Sequence, residues 1–429
     1  MRIILSIPEG QNVRNLLENG ILSELNIVFD HPEVIIITPA YRIKSFTEKW
    51  QGVKWYRLLP IRLTRRQSLL SRVRKRAVRL RQNWIANILL NAERSVLLNE
   101  ALEYEQLLLE KKDETIVICS HIHLPFEAQL SNYAKKHQIP VVGIVNSWDN
   151  VHKGIHTHTD RVFVWGDQNK SEMITMEGYI DKNVIPTGSP SFDPYFIKEH
   201  QWSRKDFCDR IKLDPSRPIL LYASIGQFVP FIEETFILDE LAKLIEDFPV
   251  ENRPQIICRL HPWSKKEIFK AYLDHPDIVF SGFENYVPTL NWAPTFDEMI
   301  FSANLLKHSS ICISPGSTMV LEAAIFDTPT IVPIYNNYQP EVWEDYYSRF
   351  CLAMHFSRLI EGKLVPVIRN SIQLKECINK YLSDPSFFSV ERRNIVNQYI
   401  KYGDGNSLKR IVKETKVLFD ESVGSEPQS

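Results

Sequence analysis

Two kinds of segment that would place a protein in a membrane or export it are missing from this sequence. It has no run of about twenty apolar residues, the length that a membrane-spanning helix needs. The N-terminal residues Met1–Pro8 lack the long apolar core and small-residue cleavage site of a signal peptide, and they are typical of a first strand. We therefore expect a cytoplasmic protein, with the inner face of the cytoplasmic membrane as the alternative.

Paired cysteines and a dinucleotide fingerprint are also missing. None of the six cysteines forms a Cys-x-x-Cys pair, and Cys119, Cys258 and Cys312 lie inside apolar runs. They are typical of reduced core residues in a cytoplasmic protein. No Gly-x-Gly-x-x-Gly segment follows the first apolar run, so an NAD-type site has little support.

What is present is the composition of a globular protein of ordinary polarity. The 429 residues exceed what one hydrophobic core usually supports, which predicts two domains. Apolar residues make up 44% of the chain and charged residues 24%. The net charge of −1 points to no partner by itself.

Short apolar runs of strand length alternate with stretches of helical spacing through both halves of the chain, which predicts parallel sheets of the α/β class. The expected strands are Ile3–Ile7, Val34–Thr38, Thr115–Cys119, Val141–Val145, Arg161–Trp165, Val184–Thr187, Ile219–Ala223, Gln255–Leu260, Ile278–Phe280, Ser309–Ile313, Thr330–Ile334 and Leu364–Val367. The polar, irregular stretch Pro194–Pro218 separates the two halves and marks the expected domain boundary.

The stretch Ser314–Pro333 has the pattern of a strand, tight turn, helix and second strand. After the first strand, Ser314, Gly316, Ser317 and Thr318 offer hydroxyls and backbone N–H groups at a helix start, where a diphosphate fits. Glu322, one turn into the helix, is placed to accept hydrogen bonds from a ribose diol. The alternative is that Ser317 only caps a structural helix and that Glu322 is solvated.

One stretch is strongly basic. No acidic residue occurs between Glu48 and Glu93, and nine basic residues lie between Arg62 and Arg81. Leu69, Val73, Ala77, Leu80, Trp84 and Ile88 recur within it at mostly three- and four-residue steps, as in an amphipathic helix. Arg72, Arg74, Arg76 and Arg79 are the candidates for binding an anionic membrane or a lipid-phosphate acceptor. A helix docked on its own domain is the alternative, and nucleic acid is not expected because stacking aromatics are missing.

The segment Ser-Pro-Gly-Ser-Thr, followed by Glu322-Ala323 and Thr328-Pro329, resembles the nucleotide-binding segment of GT-B enzymes. These include many glycosyltransferases and the non-hydrolysing UDP-N-acetylglucosamine 2-epimerases. The resemblance implies that the Ser/Gly turn holds the donor diphosphate and that Glu322 holds the ribose. Asp327 stands where a Gly is common, and Asp tolerates the left-handed conformation that the turn needs.

Two further motifs in the C-terminal half strengthen the resemblance. Arg259-Leu260-His261-Pro262, about fifty residues before the Ser/Gly turn, resembles the His-Pro motif of GT-B enzymes that use cytidine-nucleotide donors, such as bacterial sialyltransferases and CDP-glycerol glycerophosphotransferases. Here His261 would offset charge on the departing phosphate. Gly403-Asp404-Gly405-Asn406-Ser407, followed by Arg410-Ile411, resembles the C-terminal pattern of the epimerases and glycerophosphotransferases, and it implies a last helix that returns to the N-terminal domain. Ser224 and Gln227, after the first strand of the second domain, are expected to touch donor phosphate.

The expected catalytic base lies in the N-terminal half. Asp149, in Ser147-Trp148-Asp149-Asn150, follows a strand and resembles a motif of the glycerophosphotransferases that carries His at this position. A turn with a side-chain cap is the alternative for Asp149. Trp148, Asn150, Lys153, His121 and Gly10 are the other residues expected on the acceptor side. His152, His156, His158 and Asp160 have a spacing that invites a metal, but GT-B enzymes generally neutralise the diphosphate with helix N-termini, so neither a metal nor a cofactor is expected.

The resemblance implies a GT-B fold of two Rossmann-like domains facing a cleft. The expected boundaries are 1–195 for the acceptor-side domain, 196–217 for a linker, 218–403 for the donor-binding domain, 404–420 for the returning helix and 421–429 for a disordered tail. The implied activity is metal-independent transfer of a UDP-, CDP- or CMP-linked sugar to a glycan or lipid-linked acceptor in bacterial surface polysaccharide synthesis. Inversion is expected because the sequence offers one base and no second nucleophile. The alternatives are a CDP-alditol phosphotransferase, a UDP-sugar 2-epimerase and a non-catalytic nucleotide- or glycan-binding partner.

Overall fold

The computed structural model of the protein describes residues 1–59, 65–80, 82–96, 102–225, 235–262, 264, 266–282, 286–347 and 355–424. The chain divides into two compact units. Unit 1 contains Met1–Asp193, Asn285–Phe296 and Tyr399–Ser429, and unit 2 contains Pro194–Glu284 and Asp297–Gln398.

Over the described residues, unit 1 is built on a seven-stranded sheet in the order β3-β2-β1-β4-β5-β6-β7, with every neighbouring pair parallel. Its strands are β1 (Arg2–Ser6), β2 (Glu33–Thr38), β3 (Val53–Arg57), β4 (Thr115–Cys119), β5 (Val141–Ile144), β6 (Arg161–Val164) and β7 (Val184–Pro186). Side chains alternate between the two faces of this sheet. Ile3 and Leu5 pack into one buried cluster and Ile4 into the other, so both faces are covered.

In the part of the chain that the structure describes, unit 2 is built on a six-stranded parallel sheet in the order β10-β9-β8-β13-β14-β15. Its strands are β8 (Ile219–Ala223), β9 (Gln255–Arg259), β10 (Ile278–Ser281), β13 (Ile311–Ile313), β14 (Thr330–Pro333) and β15 (Val367–Ile368). The antiparallel hairpin of β11 (Tyr286–Val287) and β12 (Asn291–Trp292) belongs to unit 1, although it lies between strands of unit 2 in the sequence.

Helices connect the strands, as parallel pairing requires. The α- and π-helices before β8 are Gly10–Asn12, Val13–Glu18, Ile21–Phe29, Lys44–Thr47, Arg65–Arg79, Asn83–Val96, Leu102–Leu109, Ala128–Lys136, Asn150–Lys153, Asp167–Glu177 and Arg204–Ile211. Those after β8 are Thr235–Glu246, Phe296–His308, Met319–Ile325, Pro340–Tyr346, Ser357–Glu361, Ser371–Ser383, Ser389–Ile395, Val396–Ile400 and Ser407–Gly424. Over the described residues, no helix combines the length and the apolarity that crossing a membrane requires.

The observed elements differ from the sequence prediction in five main places. β3 and the hairpin were not predicted, and the last strand is Val367–Ile368 instead of Leu364–Val367. The expected linker 196–217 belongs to unit 2 and contains the helix Arg204–Ile211, which begins at a Ser203 cap. The terminal helix continues to Gly424, so it extends into the tail that was expected to be disordered.

The terminal helix Ser407–Gly424 is anchored in unit 1. The buried carboxylate of Asp193 accepts hydrogen bonds from the backbone N–H groups of Ser407 (3.0 Å) and Leu408 (2.9 Å). Leu408, with Ile411 and Val412, joins a core cluster of this unit. Asp404 pairs with Arg410, whose guanidinium lies 3.8 Å from the centre of the Tyr402 ring. The Gly-Asp-Gly segment is therefore part of the structural attachment of this helix.

Candidate active site

In the sheet of unit 2, the chain adds strands outward from β8 in one direction and outward from β13 in the other. β8 and β13 are neighbours in space, so the strand order reverses between them. Parallel α/β sheets bind ligands at the carboxyl ends of strands at such a switch point. Ser224 directly follows β8 and Ser314 directly follows β13. Because Tyr222 pairs with Ile313, the two serines emerge from matching strand ends.

The Ser/Gly turn after β13 is held together by its own hydroxyls. The Oγ of buried Ser314 lies 2.8 Å from the Oγ of Ser317, which also accepts a hydrogen bond from the Met319 N–H (3.3 Å). Gly316 has a φ of 105°, a conformation that favours glycine. Thr318 is half-buried where the helix begins. This helix spans only Met319–Ile325, so the hydroxyls and backbone N–H groups of the turn matter more for an anion than its dipole.

The C-terminal turn of that helix has the conformation expected from the sequence. Asp327 has a φ of 54°, and the Thr328 N–H donates to the Ala323 carbonyl (3.0 Å). The Asp327 carboxylate accepts a hydrogen bond from Arg392 Nε at 2.7 Å. The predicted left-handed position is therefore confirmed, and Arg392 fixes it further.

Glu322 is not simply solvated, so that part of the structural alternative is wrong, although Ser317 does accept the Met319 N–H as a cap would. The hydroxyl of Tyr195 donates to its Oε2 at 2.6 Å, and the Tyr195 ring packs against Phe326 at 5.6 Å between centres. This contact holds the Glu322 carboxylate in one orientation. Tyr195 was missed by the sequence analysis because it lies more than one hundred residues earlier in the chain.

His261 and Ser224 are connected at the end of β9. The backbone N–H of His261 donates to Ser224 Oγ (2.8 Å), and this oxygen lies 2.9 Å from Ser264 Oγ. Burial, helped by the nearby Arg259 guanidinium, lowers the pKa of His261 to about 4. The ring is therefore neutral at pH 7, and a bound phosphate would have to raise its pKa before it could offset charge as a cation.

Arg259 lines a cavity of about 500 Å³ within unit 2. The cavity lies beside β9 and β10, with Asp297, Glu298 and Ser302 of the helix Phe296–His308 on its wall. Glu322 and Arg259 both act electrostatically on the buried Cys312 thiol, which places both side chains near β13. Gln227, the remaining predicted donor contact, lies outside the described residues.

Unit 1 has its own switch point, between β1 and β4. Glu9 follows β1 and His121 follows β4, and Glu9 Oε2 lies 3.5 Å from His121 Nδ1. Burial lowers the pKa of His121 to about 3, so at pH 7 the ring is neutral and the contact is not an ion pair. Burial raises the pKa of Glu9, while Lys153 opposes that rise. Glu9 was not among the predicted site residues.

Asp149 lies in the same electrostatic cluster. Its carboxylate forms an ion pair with Lys153 and accepts a hydrogen bond from Asn150 Nδ2 at 3.3 Å. Asp149 also acts on His121, as Lys153 does. Four titratable groups, Glu9, His121, Asp149 and Lys153, therefore influence one another where β1, β4 and β5 end.

Other predicted acceptor-side residues have structural contacts. A Cβ on Gly10 would lie 2.1 Å from the Trp292 carbonyl oxygen, so Gly10 allows the hairpin to approach. Trp148 is buried and packs edge-on against Tyr399 at 5.6 Å, while Asn150 Oδ1 accepts from the Ser147 N–H. The side-chain cap that was the alternative for Asp149 is therefore formed by Asn150. Gly10, Trp148 and Asn150 have structural roles beside the titratable cluster.

Beneath the cluster lies Glu127, which the sequence analysis missed. This fully buried carboxylate accepts the backbone N–H groups of Ser120 and His121, each at 2.9 Å. Burial raises its pKa to about 7, against the opposing effect of these hydrogen bonds. The buried amides of Asn12, Asn15 and Asn146 form a second network beside it. An acidic residue in an otherwise apolar segment was the available signal for Glu127.

Arg74 was expected on an anionic-surface-binding face, and that expectation is wrong. Its side chain is 1% exposed. It donates to the Lys153 carbonyl oxygen (2.9 Å), and its Nη2 lies 3.2 Å from His156 Nε2. Gly154 has a φ of 87°, a conformation that favours glycine, and a Cβ there would also meet the Arg74 guanidinium. Arg72 and Arg76 are exposed, and the side chain of Arg79 lies outside the described residues.

The histidine-rich loop does not converge on a metal site. His152 contacts Glu172 (3.0 Å), His158 stacks on Tyr179, and Asp160 accepts the Val141 N–H. Within the described ranges, no group of three or more His, Cys, Asp or Glu side chains is arranged to hold a metal ion.

Comparisons with solved structures identify the fold. The UDP-GlcNAc 2-epimerase from Neisseria meningitidis, solved with UDP-GlcNAc, matches with a TM-score of 0.55 at 13% identity, over 97% of this chain and 100% of that chain. The wall teichoic acid polymerase TagF, solved with CDPG, matches at 0.54 and 10% identity, over 98% and 89%. A glycosyltransferase from Rickettsia africae matches at 0.54 and 12% identity, over 99% of both chains.

No protein-family model and no curated protein sequence matches the chain. At such low identities the structural likeness shows the fold alone. The protein has the α/β GT-B fold, as the resemblance implied, with a parallel sheet in each of its two units.

Proposed function

We propose that the protein transfers a sugar from a nucleotide-activated donor to a glycan or lipid-linked acceptor in bacterial surface polysaccharide synthesis. The observation that carries the proposal is the set of neutral hydrogen-bonding groups at the switch point of unit 2. Ser224, Ser314 and Ser317 present hydroxyls there, and Glu322 is oriented by Tyr195. A diphosphate needs hydrogen-bond donors such as these hydroxyls, and a ribose diol needs an acceptor such as the Glu322 carboxylate.

Chemically, unit 2 holds the donor and stabilises the leaving nucleotide. The Ser/Gly turn donates hydrogen bonds to the phosphate oxygens, where charge develops in the transition state. His261 adds a donor beside them, and a bound phosphate raises its pKa from about 4 by favouring the protonated ring. The cavity of about 500 Å³ beside Arg259 is large enough for the nucleoside part.

Asp149 is the proposed base that accepts the proton of the acceptor hydroxyl. The Lys153 ammonium and the Asn150 amide fix its position, which reduces the reorganisation needed for the reaction. One carboxylate acting directly on the acceptor fits an inverting displacement. The proposed reaction needs no metal ion.

A UDP-sugar 2-epimerase is the second candidate. Epimerases are among the structural neighbours, and the cluster of Glu9, His121, Asp149 and Lys153 offers several groups for proton transfer. The two candidates differ in one requirement, because an epimerase turns over its nucleotide sugar without an acceptor.

Nucleotide binding tests the proposal first. The full chain is melted with UDP, CDP, CMP, GDP and their sugar conjugates, and a bound donor is expected to stabilise it by about 2.7 kcal/mol at one hundred times its Kd. The Ser314→Ala/Ser317→Ala variant should lose this shift, whereas Ser386→Ala, an exposed serine of the same unit, should keep it. If no nucleotide or nucleotide sugar raises the melting temperature, the proposal fails. Turnover of the bound donor with and without acceptor glycans then separates transferase from epimerase.

A further inference from the structure

The helices Arg65–Arg79 and Asn83–Val96 of unit 1 pack against each other and present large apolar side chains to solvent. With their exposed fractions, these are Leu69 (57%), Val73 (45%), Trp84 (67%) and Ile88 (61%), and Leu80 (63%) lies in the turn directly after the first helix. Single exposed apolar side chains are ordinary, but several on two adjoining helices indicate an interaction surface.

The first helix cannot hide this face by rotating in place. On its inward side Arg74 and Ala77 are 1% and 7% exposed, and Arg74 is hydrogen-bonded to Lys153. The helix also packs against the short helix Asn150–Lys153. Its inward side is therefore occupied by unit 1 itself, and the apolar side chains remain outward.

Positive charge lies on the same outward side. Arg65, Arg66, Arg72 and Arg76 are exposed, and Leu69 lies between Arg65 and Arg72 at helical spacing. No acidic residue occurs between Glu48 and Glu93, so the helical neighbours of these arginines carry no negative charge. Intermixed guanidinium and apolar groups suit the boundary between lipid headgroups and acyl chains, where apolar side chains enter and long basic side chains reach the phosphates.

From this charge complementarity we propose that the face formed by these two helices binds the surface of an anionic lipid bilayer. The apolar side chains insert at headgroup level and the arginines contact the lipid phosphates. The proposal is independent of the transfer reaction, since it concerns a surface that needs no sugar nucleotide.

The test is co-flotation of the full chain with phosphatidylcholine vesicles that contain or lack phosphatidylglycerol. We expect binding only to the vesicles with phosphatidylglycerol, and weaker binding as salt rises. At about fivefold per arginine, Arg72→Ala/Arg76→Ala should bind about 25-fold more weakly. Leu69→Ser/Trp84→Ser/Ile88→Ser should lose tenfold or more even at low salt, because apolar insertion is removed.

The matched control is Ile27→Ser/Ile372→Ser, which removes apolar side chains that are 72% and 71% exposed elsewhere on the surface. This control should float as the unmodified protein does, and circular dichroism should show that all variants are folded. Absence of flotation, or equal flotation of the helix-face variant and the control, overturns the proposal. Self-association in sedimentation that only the helix-face variant abolishes, without flotation, would assign the face to a second copy of the chain and also overturn it.

Discussion

The two units have sheets of similar topology, yet the chemistry at their switch points differs. In unit 2, uncharged hydroxyls follow the central strands: Ser224 after β8, and Ser314 with Ser317 after β13. In unit 1, titratable groups follow the central strands: Glu9 after β1, His121 after β4 and Asp149 after β5. Hydroxyls and backbone N–H groups suit a bound anion, whereas coupled acids and bases suit proton transfer. Under the proposed function, the hydroxyls of unit 2 hold the donor phosphates and the titratable groups of unit 1 transfer the acceptor proton.

Burial pushes titratable groups towards their neutral forms in both units, but the surroundings of these groups differ. In unit 1, burial raises the pKa of Glu127 to about 7 and lowers that of His121 to about 3, so both groups are pushed towards their neutral forms. In unit 2, His261 is also pushed towards its neutral form, with a pKa of about 4, but beside Arg259 and the serine hydroxyls it can gain a phosphate partner. A ligand should therefore change the protonation of His261 more than that of His121.

The largest expected effect concerns the proposed base. Asp149→Asn should lower kcat by about 10²- to 10⁴-fold, because the amide cannot accept the acceptor proton. The Kd for the donor nucleotide, measured by calorimetry, should stay unchanged if unit 2 alone holds the nucleotide.

Glu9→Gln is the matched comparison, since Glu9 is the other carboxylate of the cluster. It should lower kcat less than Asp149→Asn, because Asp149 is the proposed proton acceptor and Glu9 only contacts the neighbouring His121. If Glu9→Gln is the more damaging of the two in single-turnover assays, the proton acceptor is Glu9 and the role given to Asp149 is wrong.

A smaller effect is expected on stability, through Glu127. Its pKa is raised from 4.5 to about 7, so its contribution to stability is fully present below pH 4.5 and is lost as the pH rises through 7. The Glu127→Gln variant has no carboxyl at this position, so this contribution to the pH dependence of its stability is removed. The free energy of unfolding of the unmodified protein relative to the variant should therefore fall by about 3 kcal/mol between pH 4.5 and pH 8.

Denaturant unfolding across this pH range measures that difference. The exposed substitution Glu376→Gln in unit 2 serves as the control and should give a difference that changes little with pH. A difference for Glu127→Gln that is equally flat would show that burial does not hold this carboxyl in its neutral form.

Much of the fold could be predicted from short apolar runs, because a buried parallel strand is apolar along its whole length. The runs at Thr115–Cys119 and Ile219–Ala223 are strands with those bounds. β3 was missed because Val53–Arg57 is an edge strand that contains the charged Lys54 and Arg57, so it is not a continuous apolar run. The hairpin was missed because each of its strands has two residues.

The candidate site was predictable where neighbours in sequence are also neighbours in space. The Ser314–Ser317 contact and the left-handed Asp327 follow from local sequence. Tyr195, Glu9 and Glu127 could not be placed, because their roles depend on contacts or burial created by distant segments. Arg74 shows a further limit, since helical periodicity reveals that a helix has two faces without revealing which face is turned inward.

The smallest expected effect is on nucleotide selectivity, and it tests whether Glu322 of unit 2 binds the ribose. If Glu322 accepts hydrogen bonds from the ribose diol, Glu322→Gln should reduce the preference for a nucleoside diphosphate over its 2′-deoxy form by about tenfold, since one hydrogen bond to a charged group is worth about 1.5 kcal/mol or more. Tyr195→Phe should lower the same preference less, because it removes only the 2.6 Å hydrogen bond that orients the carboxylate. Calorimetric Kd values for the two nucleotides give both ratios, and Tyr272→Phe, which removes a tyrosine hydroxyl elsewhere in unit 2, should leave the ratio unchanged. Equal loss of affinity for both nucleotides in Glu322→Gln would mean that Glu322 supports the turn after β13 instead of reading the sugar.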